Sequence, residues 1–335
     1  MKNRPVAYLQ TVFILILSTA GNPAFAKSRL DLDLGVGYRV DHLDWNIAGV
    51  INGNPVNIVS ELTWDDVRIQ QVRGGGRLIV ENVKSPMAFY MRGTFGYGQI
   101  MEGENQDSDF LGNNRTLEFS RSNNDADAGE ALDASVGFGY QFKKRFRASR
   151  MVLRLAPVVG YSYHEQHFTM TKGFQTIVTP FLTPPLGPFP GLNSAYETEW
   201  KGPWVGLDLT LNTGKKLSVF GRIEYHLVDY FAEADWNLRP DFAHPVSFTH
   251  AADGSGLLAS AGWSYQLRPA WTFFVDLQYL DWSTDRGTDV TFLSQAEIDR
   301  LASIGIVTDG VILIPLNEVN WESQSLTLGI VYRFH

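Results

Sequence analysis

Asp107 and Asp109 have the spacing in this chain that most suggests chemistry, two positions apart in the acidic segment Glu102–Phe110. If an extended strand carries them, both side chains point to the same face. Two carboxylates held that close resist double ionisation, share one proton and can activate a water molecule between them. The same spacing also occurs in solvated acidic loops that bind divalent cations or nothing, and this alternative stays open.

A second group of chemically useful side chains lies further along, where Asp235, His244 and His250 fall within one predicted loop. An aspartate beside a histidine can orient the imidazole as a general base near neutral pH. Histidines are common in loops, so the residue types alone do not establish a catalytic site. No ligand spacing demands a metal, and the sequence predicts no metal site and no cofactor.

Composition excludes several classes of protein. The 335 residues contain no cysteine, which rules out disulfides and Cys-ligated metals. The 28 Lys and Arg against 36 Asp and Glu leave a net charge of −8, which argues against nucleic-acid binding. Aromatic residues make up 13 % of the chain, so intrinsic disorder is not expected.

The N-terminus predicts an export signal. Lys2 and Arg4 precede an apolar run over 12–17, and the small-x-small triplet at 24–26 follows it. An anchoring helix would need about 20 apolar residues, and polar residues interrupt this run well before that. We therefore predict a secretory signal peptide over residues 1–26 and one mature domain over 27–335.

The elements that must position the acids are strands, because apolar and polar residues alternate through most of the mature chain. The clearest runs are 30–39, 131–142, 205–211 and 325–334. A soluble β-sandwich also alternates, but its polar face would rarely be so rich in glycine, serine and acid. A membrane barrel has lipid outside and a polar lumen, with aromatic residues at both interfaces, which fits this composition better.

Connection lengths favour the barrel. Long connections are predicted at 42–56, 100–129, 165–195, 234–255 and 284–320, and they alternate with short ones. This alternation is typical of barrels with short periplasmic turns and long external loops. It predicts an all-β fold, a ten-stranded antiparallel transmembrane β-barrel of the bacterial outer membrane, with one strand over 57–80 bulged at 73–76.

Two of the long connections carry structure signals of their own. Ser294 and Glu297 match a helix capping box, and Gly305 is placed to end a short amphipathic helix against the barrel mouth. An unstructured insertion remains the alternative for this segment. The segment 180–190 is rich in proline and apolar residues, which could recognise a partner or simply stiffen the loop.

With strands and acids placed, the chain resembles the omptins, ten-stranded outer-membrane aspartyl endopeptidases. The resemblance extends over nearly the whole mature chain at weak identity. The segments that carry it are Ile58–Trp64, Gly160–Tyr161, Phe168–Thr169, Gly173, Pro203–Leu207 and the closing strand.

The resemblance implies roles for several residues. The omptin Asp-x-Asp-aromatic motif matches Asp107, Asp109 and the Phe that follows, as the pair that polarises the nucleophilic water. The omptin Asp-x-His motif falls on Asp235 and Asn237, so an amide that cannot accept a proton replaces the expected base. His244 could supply the imidazole if the loop is rearranged. Omptins also bind lipopolysaccharide as an activating lipid and cleave beside basic side chains.

Three functions remain from the sequence. The first is an endopeptidase at the extracellular mouth that acts on basic peptides through Asp107, Asp109, Asp235 and His244. The second is an omptin-fold barrel without protease activity, serving as an adhesin, binding surface or structural barrel. The third, a diffusion porin, is disfavoured because ten strands enclose a narrow lumen. In each case we expect contact with outer-membrane lipid and lipopolysaccharide, and no nucleic-acid partner.

Overall fold

A computed structural model describes residues 25–82, 87–146 and 148–334. The predicted signal peptide falls outside these residues, except that positions 25 and 26 open the first strand. The cleavage site after Ala26 therefore stays a prediction.

Within the described residues the chain forms antiparallel strands and one short helix. In order these are β1 Phe25–Ile51, β2 Asn54–Asn82, β3 Met87–Gly112, β4 Thr116–Phe146, β5 Met151–Ile177, β6 Gly187–Pro188, β7 Asn193–Asn212, β8 Leu217–Asp235, β9 Phe248–Gln266, β10 Trp271–Thr284, β11 Gly287–Phe292, α1 Gln295–Ser303 and β12 Val311–Phe334.

Ten of these strands form a closed ring, which confirms the predicted barrel. Each of these ten strands, the wall strands, pairs with the next one around the ring. β12 closes the ring by pairing with β1, beginning with Phe334 opposite Leu30. The two remaining strands, β6 and β11, belong to connections, where β6 pairs with β5, and β11 pairs with β9 and β12. No helix of the described part is long and apolar enough to cross a membrane.

The first two predicted long loops are instead continuations of the wall. β1 and β2 run to a two-residue turn at Asn52 and Gly53, whose φ angles of 50° and 80° suit a type I′ hairpin. β3 and β4 pair up to Gly112 opposite Thr116. The loop prediction was wrong there because outside the bilayer the outward face no longer needs apolar residues, so alternation fades while the ladder continues.

The bulge predicted in β2 is also displaced. Residues 73–76 pair in regular register with both neighbouring strands, and the irregularity lies between Asp65 and Arg68. The glycines instead make room for side chains. A Cβ on Gly75 would lie 2.7 Å from the carboxylate oxygens of Asp33.

The outward face carries a continuous apolar band. Leu34 is 58 % exposed and Phe138 56 % exposed, as expected of side chains that meet lipid. Aromatic residues lie at both edges of this band, with Tyr38 and Tyr97 at the extracellular edge and Trp271 at the periplasmic edge. The band therefore supports the predicted location in the outer membrane.

The barrel interior is filled towards the extracellular side by an aromatic plug. Its members come from seven wall strands and are at most 3 % exposed: Trp45, Trp64, Phe168, Tyr196, Trp200, Tyr230, Trp282 and Trp321. Trp64 stacks on Tyr196 with ring centroids 5.0 Å apart, and Trp282 meets Trp321 edge-on at 5.3 Å. Such packing leaves no aqueous path through this layer.

Below the plug, buried ion pairs fill the lumen. Arg92 donates to Asp208 at 2.9 Å and to Glu224 at 2.7 Å, and Arg73 donates to Asp276 at 3.0 Å. The cavity between these groups measures about 50 Å³, enough for only a few water molecules. The filled interior argues against a diffusion porin.

The predicted helix in the last connection is present as α1. Ser294 is its N-cap, and the Ser294 hydroxyl accepts a hydrogen bond from the Glu297 backbone N–H at 3.2 Å. The Glu297 carboxylate accepts from Arg300 instead of completing the capping box. The Pro-rich segment is an exposed connection whose Phe181 side chain lies fully in solvent.

Candidate functional site

Asp107 and Asp109 lie near the extracellular end of β3 and face the barrel interior. They share a strand face with buried Asn105, which is paired with Trp64 of the plug. The register of β3 is regular on both sides from Glu104 to Asp109, so this face does not change. The strand register therefore places the two acids on one inward face of β3. The sequence predicted the shared face but not its direction.

The surroundings of the acid pair disfavour its full ionisation. Burial raises the pKa of Asp107 well above its ordinary value, the neighbouring Asp109 raises it further, and Arg239 lowers it. Burial also raises the pKa of Asp109, against hydrogen bonds from Ser60 and Ser120. The pair can hold a shared proton or pair with an incoming cation.

Arg239 is the charge that acts on both acids, and sequence reasoning missed it. Its guanidinium donates to Asp241 at 3.0 and 2.8 Å and lies 4.1 Å from the centre of the Phe242 ring. It belongs to the connection between β8 and β9, which folds over the mouth. An arginine in that connection gives no signal in the sequence until the loop conformation is known.

Asp235 and His244 form the second pair. His244 Nδ1 lies 2.6 Å from Asp235 Oδ1, and its Nε2 lies 3.3 Å from the backbone oxygen of Arg239. Both side chains are more than one third exposed. In this arrangement both ring nitrogens are therefore engaged with oxygen atoms of the protein.

The two pairs lie on opposite faces of the barrel wall. Along β8, Ala232 and Ala234 are buried, and Glu233 between them is exposed, so Asp235 continues the outward face. Asp107 and Asp109 point inward, and the described interactions connect the two pairs only through Arg239. The four predicted catalytic residues therefore form two separate pairs, Asp107 with Asp109 and Asp235 with His244, and not one cluster.

Asn237 occupies the position of the omptin histidine and serves as a clasp between connections. Its Oδ1 accepts from the Asn193 backbone N–H at 2.9 Å and from the Ser194 hydroxyl at 3.0 Å, and its Nδ2 donates to the Gly191 oxygen at 2.7 Å. All three bonds reach the segment before β7. The amide oxygen accepts two of these bonds, whereas a neutral imidazole has one acceptor nitrogen, so an amide suits this position better than an imidazole.

His250, the other histidine candidate, is fully buried in a polar chain inside the plug. Its Nε2 lies 3.0 Å from Asp289, its Nδ1 lies 2.8 Å from the Tyr196 hydroxyl, and that hydroxyl lies 2.6 Å from Tyr230. With 0 % exposure it cannot meet a substrate, so its role is structural.

Charge is distributed very unevenly along the barrel axis. The extracellular segments 42–70, 100–130, 165–201, 229–255 and 281–324 contain 28 of the 36 Asp and Glu but 8 of the 28 Lys and Arg. The remainder of the chain from residue 27 contains 8 acids and 18 bases. The extracellular end is therefore strongly anionic and attracts cationic molecules.

The outward belt above the apolar band shares this character. Two of its cations are occupied: Arg68 donates to Glu102 at 2.6 Å, and Lys201 is paired with Glu199. Omptin-type binding of lipopolysaccharide needs outward basic residues, and the described residues of this belt offer no unpaired Lys or Arg cluster for it. Across the described residues, no three His, Asp or Glu side chains converge as a metal site.

Comparison with known proteins identifies the family. The model of the family described as Protochlamydia outer membrane protein matches residues 33–334. The chain belongs to this family. No curated protein sequence matches it.

Among solved structures, the barrel is similar to the outer membrane protease OmpT from Escherichia coli, with a TM-score of 0.66 and 14 % identity over 94 % of this chain and 99 % of that one. The outer membrane protein OprG from Pseudomonas aeruginosa is matched at a TM-score of 0.36 and 10 % identity, over 93 % and 98 % of the two chains. The OmpT likeness extends to the fold, at an identity too low to transfer protease activity.

Proposed function

We propose that this family member is a closed outer-membrane barrel that binds cationic peptide segments at its extracellular mouth. The observation that carries the proposal is the inward Asp107–Asp109 pair at an end of the barrel where acids far outnumber bases. The two carboxylates are shielded from water, so their negative charge is poorly solvated. A lysine or arginine side chain of the ligand would supply the positive charge that stabilises them. The filled lumen fits binding better than transport.

Arg239 sets the entry condition for such a ligand. It is tied to Asp241 and half-exposed, so it can move aside together with its partner. While it stays in place it lowers the affinity of the acid pair for a second cation by like-charge repulsion. Binding of a cationic segment and displacement of Arg239 are therefore coupled.

A second function, hydrolysis of the bound peptide, is favoured by the 2.6 Å contact between His244 and Asp235. In this proposal Asp107 and Asp109 polarise a water molecule and His244 accepts its proton. The step requires His244 to leave the Arg239 carbonyl and turn towards the inward face. Binding needs no such rearrangement, so we rank it first.

The test uses refolded full-length barrel in detergent micelles and a blocked decapeptide with a central Arg–Arg bond. Calorimetry measures binding, and mass spectrometry measures cleavage between pH 5 and 8, with and without added lipopolysaccharide. We expect Asp107→Asn with Asp109→Asn to weaken binding about tenfold, the scale of one charge-assisted contact. The control, Asp229→Asn with Asp253→Asn, removes the same charge from an outward pair on β8 and β9.

Equal loss in both double variants would reduce the mouth to nonspecific attraction, and no binding by the wild type would overturn the proposal. Cleavage that disappears in both Asp107→Ala and His244→Asn would establish hydrolysis. Cleavage only in the presence of lipopolysaccharide would make that lipid the activator. Binding without cleavage at any pH leaves the first function and removes the second.

A further inference from the structure

A groove of about 510 Å³ lies on the outer face of the extracellular wall, between the connection before β9 and the last connection. We call it the outer-face groove. Its apolar lining comes from Val246 of the first connection, from Phe292, Leu293 and Ile298 of the second, and from Val311 at the start of β12. The groove opens widely to its surroundings, so it suits a side chain laid along the wall rather than a ligand enclosed in a cavity.

Hydrogen bonds between the two connections fix the walls of the outer-face groove. The Ala243 N–H donates to the Phe292 oxygen at 2.8 Å, and the Phe292 N–H donates to the Ser247 oxygen at 2.8 Å. The Ser294 hydroxyl donates to the Pro240 oxygen at 2.8 Å. The groove is therefore formed before any ligand arrives, which lowers the entropy that binding must lose.

Two carboxylates and no cation line this apolar surface. Glu233 is exposed on the outward face of β8 and makes no hydrogen bond or ion pair with the described residues. Asp309 accepts one bond from the Val311 N–H at 3.2 Å, which leaves its other oxygen free. A ligand that complements this lining carries apolar groups together with positive charge.

We propose that the outer-face groove docks a peptide segment in which an apolar side chain neighbours a lysine or arginine. The apolar side chain fills the space between Val246 and Ile298, and the cation meets Glu233 and Asp309. This site is separate from the mouth, since Glu233 faces outward and Asp107 faces inward. It extends the proposed function with a second contact for the same kind of ligand, but it does not need the mouth to bind.

The experiment is calorimetric titration of the refolded barrel in detergent micelles with a blocked hexapeptide of alternating leucine and lysine. One control peptide replaces leucine by serine, and another replaces lysine by glutamate. We expect binding of the first peptide only. Ile298→Ser should weaken it about tenfold through lost apolar burial, and Glu233→Gln about threefold through one partly exposed charge pair.

Matched control variants lie outside the groove. Ile312→Ser removes an exposed isoleucine at the start of β12, and Asp253→Asn removes an outward acid of β9. Both should bind the hexapeptide as the wild type does. Retained binding in Asp107→Asn with Asp109→Asn would separate the groove from the mouth.

Several results would overturn the proposal. One is no binding of the leucine–lysine peptide, and another is equal loss in Ile298→Ser and Ile312→Ser. Equal binding of the serine peptide would show that charge alone is recognised and would remove the apolar groove from the account. Loss of binding in the Asp107 and Asp109 variant alone would move this ligand to the mouth and leave only the proposed function.

Discussion

The lumen below the plug and the extracellular end of the barrel differ in how their charged side chains are paired. In the lumen, arginines and acids meet in buried pairs, as Arg92 does with Asp208 and Glu224. At the extracellular end, acids outnumber bases by 28 to 8, and carboxylates such as Glu233 have no partner in the described residues. Acidic side chains are therefore paired with arginines in the lumen, whereas at the extracellular end they are in excess.

The difference follows from access to water. A buried charge without a partner costs several kcal/mol, so the filled lumen favours matched pairs. An exposed carboxylate is solvated at little cost, so the extracellular end can keep an excess of negative charge for a ligand. Structural charges can thus be separated from binding charges by asking which ones already have partners.

The largest expected effect is a direct test of this contrast. Arg92→Met removes the cation that the buried Asp208 and Glu224 share, and we expect the free energy of unfolding to fall by about 3 to 5 kcal/mol. Urea titration of the barrel in lipid vesicles, followed by tryptophan fluorescence, measures it. Arg300→Met removes an arginine from the exposed pair with Glu297, and should cost less than about 1 kcal/mol. Similar losses in the two variants would contradict the contrast.

A smaller effect is expected at the clasp between connections. Asn237→Ala removes three hydrogen bonds to the segment before β7, and should lower the free energy of unfolding by about 1 to 2 kcal/mol. Asn237→His tests whether the omptin residue fits the same position, and we expect it to be nearly as destabilising. Hydrogen exchange of residues 191–194 would locate the change, and unchanged protection there would exclude the clasp.

The fold could be predicted from the sequence because lipid imposes alternation on every wall strand. The pattern of 131–142 predicts both its strand and its outward face. Beyond the bilayer this constraint ends, which is why the sequence predicts loops over 42–56 where strands continue. The helix start predicted at Ser294 is confirmed, because a capping signal depends only on residues close together in the chain.

The site could be predicted only in part, since its geometry depends on the connections. Asp107 and Asp109 share a face because strand spacing dictates it. Side chains of β8 alternate between the inward and outward faces. Because Ala234 is buried, the next residue, Asp235, faces outward. The approach of Arg239 and His244 depends on how residues 236–247 fold over the mouth, and no periodic pattern encodes that.

At the acid pair, unlike at Arg92 and Asn237, removing a side chain is expected to stabilise the barrel. Because the folded-state pKa of Asp107 is raised, its ionisation opposes folding, so stability should fall as pH rises from the ordinary carboxyl pKa through the raised value. Asp107→Asn should reduce this dependence, leaving the part that belongs to Asp109, and raise the free energy of unfolding at pH 7 by about 1 kcal/mol. Urea titrations at several pH values measure both. A variant less stable than the wild type at pH 7 would indicate that the ionised pair is well satisfied.

The smallest effect is expected at His42, on the outward face above the apolar band. Its ring lies 3.2 Å from Asp44 and 2.5 Å from Asp65, and hydrogen bonds to these two acids raise the pKa of His42 to about 9. A raised folded-state pKa stabilises the barrel below the ordinary value near 6.5, and that stabilisation disappears as pH rises through about 9.

The pair is more than one third exposed, so the contribution should stay below about 1 kcal/mol. We expect His42→Gln to be less stable than the wild type at pH 6 and equal to it at pH 10, measured by urea titration. A constant difference across this range would assign His42 a packing role. A difference that disappears in high salt would place the effect with exposed charges, as the contrast between the two ends of the barrel requires.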